Sequence, residues 1–364
     1  MRENMYKILD ILAREIGNPM SINEIKNNIH QIYGSADYKN IYMAIHEMEK
    51  TELIRIQSIG RSSIAVLSFE NPLLIDMLAE MELRRKTLFL ENKQDFQMLL
   101  IELSTFLKEF YFIKSISIVN PQRNAKLNRI ELLILLKNSK RKGDVDGEIA
   151  AVRSIMNALY KKYNIRIDHI LINGKTFLEL LISDEINVAR EMLSNKIVLS
   201  NPQTFWIEIM AALKEGMNIK FEEETNPAKI SEQDMVYNLA RLGYKEIGTK
   251  ITNGTPISIE YIITSILLKD KSIRRIEAIP IILGKNESHV NYTLLVFLAT
   301  KFHVLKRLYQ ILEILDAIKP AEALTHAIEE LRNTTVHNVK TRQKEIELNL
   351  KDVEKKMRLY DVIE

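Results

Sequence analysis

The chain has 364 residues, of which 46% are hydrophobic, and a formal net charge of +3 at pH 7. This length predicts two or three domains with real cores, and the small net charge by itself points to no partner. The absence of cysteine excludes disulfides, thiolate catalysis and cysteine-based zinc sites. The sequence shows neither a signal peptide nor an apolar stretch long enough to span a bilayer, so we expect a cytoplasmic protein without membrane contact.

Residues 1–70 have the pattern of three helices followed by a hairpin. The second helix is predicted to begin at a capping box, because Ser21 is followed by Glu24 three positions later. The third helix, in GSADYKNIYMAIHEMEKTELI, has an apolar inner face made by Ile41, Ala44, Ile45 and Met48. The stretch LIRIQSIGRSSIAVLSF then alternates apolar and polar residues around Gly60-Arg61, which predicts the hairpin.

This order of elements resembles a winged helix-turn-helix domain. The stretch YKNIYMAIHEMEKTELI is similar to the recognition-helix segment of many archaeal and bacterial winged-helix regulators. The resemblance implies a third helix that enters the major groove of double-stranded DNA and a hairpin tip that reaches the DNA backbone or minor groove. The outward positions of the third helix are Tyr38, Lys39, Asn40, Tyr42, Met43 and His46. The residues expected to contact DNA are Tyr38, Lys39, Asn40, Tyr42, His46, Arg61 and Ser62.

The charge of this segment argues against strong binding by the segment alone. Residues 1–70 contain eight Lys/Arg and nine Asp/Glu, a net charge of −1. Non-specific DNA affinity depends on the neutralisation of phosphates, so a dimer or a second basic surface would be needed to strengthen binding. A protein-interaction module, of the kind found in antitoxins, is the alternative interpretation of residues 1–70.

The rest of the chain divides by pattern into four further regions. We expect connecting helices over 71–112 with a break near Asn92, a small α/β domain over 113–220, a helical domain over 221–318 and a long C-terminal helix over 319–364. The predicted fold class is therefore multidomain and mainly α, with one small α/β domain in the middle.

A basic cluster lies at the start of the α/β region. Residues 111–142 contain eight Lys/Arg against one acidic residue, Glu131, which is a net charge of +7. A solvated lysine-rich loop accounts for KNSKRKG, whereas NPQRNAKLNR crowds its charges at the mouth of a predicted strand. We expect a phosphate or nucleic-acid contact there, made by Arg123, Lys126, Arg129, Lys140, Arg141 and Lys142.

The stretch SISIVNPQRNAKLNRIELLILL resembles the core of polymerase-β-type nucleotidyltransferases in strand order and spacing. In that family a strand ends in Gly-Ser, an Asp-x-Asp/Glu pair follows, and a later strand supplies a third carboxylate, so that magnesium can bridge nucleotide phosphates. Here Asn120-Pro121 takes the Gly-Ser position and Arg129 takes the first acid, while Glu131 and Asp168 match the other two. The resemblance therefore implies a retained scaffold without catalysis, metal or cofactor; the alternative is a magnesium-dependent nucleotidyltransferase that uses Glu131 and Asp168.

The C-terminal segment carries two further signals. A short heptad seam predicts either a helix packed on its own domain or a dimer coiled coil, through Ile346, Leu350, Val353, Met357 and Tyr360. LRNTTVH resembles the Arg-Asn-x-x-x-His motif of HEPN-type RNases through Arg332 and His337, but the motif is short and a polar stripe on a charged helix is the favoured interpretation. Together the patterns predict a homodimeric DNA-binding protein, a transcriptional regulator, with a non-catalytic nucleotidyltransferase-like domain.

Overall fold

The computed structural model describes residues 2–16, 18–59, 62–126, 128–137, 144–214, 225–245, 253–269, 273–337 and 348–364, with the backbone alone at 59, 62, 123, 124, 144–148, 330 and 333–337. It is mainly helical (64%) with small mixed sheets, which confirms the predicted mainly-α class at this coarse level. The chain forms two compact units. Unit 1 comprises Met1–Ser183 and Ala189–Glu224, and unit 2 comprises Asp184–Val188 and Thr225–Glu364.

The first 70 residues of unit 1 form three helices and a three-stranded antiparallel sheet of order β1-β3-β2. Ser21 and Glu24 cap α2 reciprocally, and Asp37 caps α3 by accepting the backbone N–H of Asn40 at 2.9 Å. Gly34 ends α2 with φ 78°, a left-handed conformation that glycine adopts without steric cost. The elements are α1 (Glu3–Arg14), β1 (Met20–Ser21), α2 (Ile22–Tyr33), α3 (Tyr38–Lys50), β2 (Ile54–Ile59) and β3 (Ser62–Leu67).

Two helices, α4 (Leu73–Leu90) and α5 (Gln94–Leu107), lead from these elements to the second sheet. The helical run breaks at the predicted place, where Asn92 has φ 60°. Helix α4 packs on α1 and also on the last strand of the second sheet, while Leu73, Leu83 and Leu88 on its outer side stay exposed. The same helix therefore holds both halves of unit 1.

The second sheet has four strands in the order β6-β5-β4-β7; β5 and β6 are parallel and the other pairs antiparallel. One face packs on α5 and α7, and the other is covered by α4, α8 and α10. Strand β7 follows a helix where the sequence pattern had assigned no strand. The elements are β4 (Ile113–Val119), α6 (Pro121–Lys126), β5 (Arg129–Leu136), α7 (Asp144–Tyr163), β6 (Arg166–Asn173), α8 (Gly174–Ile182), α9 (Val188–Ser194), β7 (Lys196–Ser200) and α10 (Pro202–Lys214).

Unit 2 is helical, apart from an isolated bridge between Ile186 and Ile257. Its central helix is α12, in which every residue from Ile259 to Leu267 is buried. The elements after a 3-10 turn at Pro227–Lys229 are α11 (Glu232–Arg241), α12 (Ile259–Lys269), α13 (Ile273–Ile276), α14 (Ala278–Lys285), α15 (Tyr292–Lys301), α16 (Leu305–Ile318), α17 (Glu322–His337) and α18 (Leu350–Leu359).

The described part of the heptad seam packs within unit 2. Val353 and Met357 are buried where α18 lies against α14, and Tyr360 stacks on Tyr244 with ring centroids 5.1 Å apart. Of the seam residues, Ile346 lies outside the described residues. The contacts of α18 correspond to a helix packed on its own domain and lend no support to a dimer coiled coil. Among the described residues, no helix is both long and apolar enough to cross a membrane.

Candidate functional site

The outer surface of α3 is the first candidate site. Ile41, Ala44, Ile45 and Met48 face the core, as their spacing predicts. The residues expected to face outward do so: Lys39 and Asn40 are exposed, and Tyr38, Tyr42 and Met43 expose 45%, 43% and 58% of their surface. These side chains give the outer side of α3 an exposed apolar and aromatic surface, comparable in exposure to Met98, Ile101 and Phe106 on α5.

An aromatic ladder runs along this surface. Tyr38 stacks on Tyr42 with ring centroids 6.0 Å apart, and Tyr42 meets the half-buried ring of His46 edge-on at 4.3 Å. Residues four positions apart lie on the same side of a helix, so the ladder follows directly from the Tyr-x-x-x-Tyr-x-x-x-His spacing. The mutual contacts restrict the rings, which lowers the side-chain entropy that a ligand would have to remove.

The two acidic residues of α3 lie in its C-terminal half and are engaged there. Glu47 accepts from Arg2 at 2.7 Å, and Glu49 lies 3.0 Å from Nδ1 of His46. The N-terminal half of α3 contains Lys39 and no carboxylate. The Asp37 carboxylate already caps the positive end of the helix dipole, so the attraction of a phosphate to the N-terminal end depends on Lys39.

The tip of the β2–β3 hairpin lies largely outside the described residues. Arg61 lies outside the described residues, and only the backbone of Ser62 is described, as the first residue of β3. The predicted roles of these two residues in DNA contact remain predictions.

The second candidate site is the strand mouth formed by β5 and β6. Glu131 and Asp168 lie directly opposite each other in the parallel register, so both carboxylates project from the same face of the sheet. Both are buried, with 1% and 6% exposure. The register therefore brings side by side the two carboxylates that the nucleotidyltransferase alternative assigns to magnesium.

Two arginines neutralise these carboxylates. Arg129 is ion-paired to Glu131 and places its Nε 4.0 Å from Asp168 Oδ2, while Nε of Arg166 donates to Asp168 Oδ1 at 3.0 Å. The guanidinium of Arg129 thus lies between the two acids, where a divalent cation would otherwise have to sit. Among the described residues, no group of three or more His, Asp or Glu is arranged to hold a metal.

The turn before α6 also differs from a phosphate-binding loop. Asn120 has φ 45° and is buried, and its N–H donates to the carbonyl of Asn195 at 2.7 Å. Pro121 follows as the first residue of α6 and has no N–H to donate. Neither residue therefore offers a backbone N–H to a phosphate.

The predicted basic patch is only partly described. Lys126 is exposed, whereas Arg129 is engaged with the two acids and does not present a free charge to solvent. Lys140, Arg141 and Lys142 lie outside the described residues, as does the side chain of Arg123. The phosphate contact expected at this mouth remains a prediction.

The HEPN-like motif is described only at its arginine. Arg332 donates to the hydroxyl of Tyr309 at 2.8 Å and lies 3.4 Å from Glu313. These contacts give Arg332 a structural role on the surface formed by α16 and α17. The side chains of Asn333 and His337 are outside the described set.

Sequence reasoning missed a buried charge network that joins α1, α4 and β7. Asp10 is 3.1 Å from both Arg85 and Arg14, and it accepts a hydrogen bond from Tyr33 at 2.6 Å. Burial disfavours ionisation of Asp10, but the two guanidinium groups outweigh burial and hold the pKa of Asp10 below its usual value. A charged residue within the apolar stretch ILDILA was the available signal.

The network continues through Glu82 to Lys196, a residue on the inner face of the sheet. Nζ of Lys196 is 3.6 Å from Glu82 Oε1 and lies 4.4 Å from the ring centroid of Trp206. Glu82 Oε2 also accepts the backbone N–H of Val198 at 3.0 Å. Burial lowers the pKa of Lys196 to about 8, the nearby Glu82 opposes that effect, and Arg85 adds to it.

Comparisons with protein-family models, with curated proteins and with solved structures found no match to this chain.

Proposed function

We propose that this chain is a DNA-binding protein, a transcriptional regulator, that contacts duplex DNA through α3 and the β2–β3 hairpin. The order α1-β1-α2-α3-β2-β3 is the order of a winged helix-turn-helix domain, and this likeness supports the proposal. The observation that carries it is the outer surface of α3, where Tyr38, Lys39, Asn40 and Tyr42 are all exposed at the N-terminal half of the helix.

Each of these side chains has a counterpart in duplex DNA. Lys39 suits a phosphate or the acceptor edge of guanine, Asn40 can pair in bidentate fashion with adenine, the Tyr38 hydroxyl can bond a phosphate oxygen, and Tyr42 can contact a phosphate or a base edge. With a net charge of −1 over residues 1–70, we expect modest affinity that falls only gently with salt. Homodimerisation remains part of this proposal, because two linked modules would raise the effective affinity.

We place the α/β part of unit 1 in the same proposal as a nucleotidyltransferase-like scaffold without catalysis. The strand order, with β4 antiparallel and β6 parallel to β5, supports the likeness. The ion pairs of Arg129 with Glu131 and Asp168 support the loss of catalysis, because a guanidinium and a magnesium ion cannot share one pair of acids.

The test is binding of the whole protein to a fluorescent duplex at low salt, followed by anisotropy. Lys39→Ala should weaken binding and lower the salt slope by about 1, because one phosphate contact is lost. Lys108→Ala, at the exposed lysine that follows α5, is the matched control and should leave both quantities unchanged. Absence of binding to any duplex at low salt would refute the proposal and favour the protein-interaction alternative.

A further inference from the structure

The outward surface of α3 carries Lys39 near its middle and apolar side chains on both flanks, where recognition helices are commonly cationic. Tyr42 and Met43 are adjacent and strongly exposed, and Lys39 lies one turn before Met43. Asn40 and Tyr38 lie about half a turn apart around the helix, so they occupy opposite margins of this surface. The helix contains no arginine at all.

This composition limits which bases α3 can recognise. Guanine is read most often by a bidentate arginine or lysine, and α3 offers only Lys39 for that purpose on its N-terminal half. Thymine is the one base that presents a methyl group in the major groove, and an apolar side chain reads it by covering that methyl. Asn40, at the margin, has the donor and acceptor that adenine requires.

We propose that Tyr42 and Met43 read thymine by covering its C5-methyl group, so that α3 prefers A·T pairs in the major groove. The inference rests on the proposed function and goes beyond it by naming the base and the residues that select it. The ladder contributes by fixing Tyr42: its ring is held between Tyr38 and His46, so the position of the aromatic edge is defined before DNA arrives. Met43 is unbranched and adaptable, which suits it to an irregular groove floor.

The test compares duplexes that differ only by methyl groups. The first is an A·T-rich duplex, and the second is the same duplex with every thymine replaced by deoxyuridine. We expect the second to bind about fourfold more weakly for each methyl that the helix covers. The third and fourth are a G·C-rich duplex with cytosine or with 5-methylcytosine, and the added methyl should tighten binding of the fourth.

Variants assign the effect to the helix surface. Met43→Ala and Tyr42→Ala should each reduce the ratio of affinities between the thymine and uracil duplexes. Ile101→Ala removes an equally exposed apolar side chain on α5 and should leave the ratio unchanged. All three positions are exposed, so we expect folded variants, and far-ultraviolet circular dichroism checks this.

The outcomes separate this inference from the proposed function. Binding with equal affinity to the thymine and uracil duplexes overturns thymine reading and leaves DNA binding standing. A methyl effect that persists unchanged in both Met43→Ala and Tyr42→Ala also overturns it, because the methyl would then act through DNA shape or through another part of the chain. If the protein binds none of the four duplexes, the inference is overturned together with the proposed function.

Discussion

Lys196 offers the sharpest test of the buried network. Two carboxylates, Asp10 and Glu82, face three cations, Arg14, Arg85 and Lys196, so the network carries one excess positive charge while Lys196 is protonated. Replacing Lys196 with methionine, which is also unbranched, removes that excess and leaves Glu82 its contacts with Arg85 and the β7 backbone. We therefore expect Lys196→Met to be more stable than the wild type at pH 7.

The magnitude follows from the pKa of Lys196, which is lowered from 10.5 to about 8 by burial in the folded protein. This shift corresponds to about 3 kcal/mol in the free energy of unfolding. Below pH 8 the lysine is protonated in both states, and its cost to the folded state is fully present. Between pH 8 and 10.5 the unfolded state binds more protons, so the contribution of Lys196 rises by about 1.4 kcal/mol per pH unit.

Urea unfolding of wild type and Lys196→Met from pH 6 to pH 10 measures this directly. The difference between the two proteins should be flat below pH 8 and should then shift in favour of the wild type as the pH rises. Lys108→Met, at an exposed lysine, should show no such rise. A difference that is constant over the whole range would refute the argument, and so would a large loss of stability in Lys196→Met at pH 7.

Three further substitutions test other parts of the structure. Arg129→Ala should lower the free energy of unfolding by about 3 kcal/mol, because Glu131 and Asp168 would face each other without the shared guanidinium. Magnesium should then raise the melting temperature of the variant in a thermal melt. A wild type whose melting temperature rises equally with magnesium would contradict this reasoning. Ser21→Ala should cost about 1 kcal/mol in denaturant unfolding through loss of the capping box, and an unchanged midpoint would argue against it. Burial raises the pKa of Glu260, so its neutral form stabilises the folded state below pH 4.5, and that stability is lost as the pH rises through the raised pKa. In urea unfolding, the free energy of unfolding of the wild type should therefore fall relative to that of Glu260→Gln above pH 4.5. Parallel curves of free energy against pH for the two proteins would exclude the effect.

The candidate site on α3 was within reach of sequence reasoning. The period of Ile41, Ala44, Ile45 and Met48 marks the inner face of a helix, and every residue on the remaining face must then point outward. The capping box at Ser21 and the break at Asn92 were equally readable, because local hydrogen bonding and backbone sterics decide them within a few residues. The chemistry of that outer surface was likewise already present in the sequence.

Pairing and burial of charges depended on the tertiary structure. Arg129 lies near both Glu131 and Asp168 because β5 and β6 are parallel neighbours in this register. This pairing places Asp168 beside Glu131 although the two residues are far apart in the chain. The five charges from α1, α4 and β7 meet only because α4 packs on α1 and on β7 at once. Hydrophobic periodicity in the sequence indicates which side of a helix or strand is buried. The partner of a buried charge is instead set by how whole helices and strands pack on one another. The residues that determine this packing are spread over the entire chain.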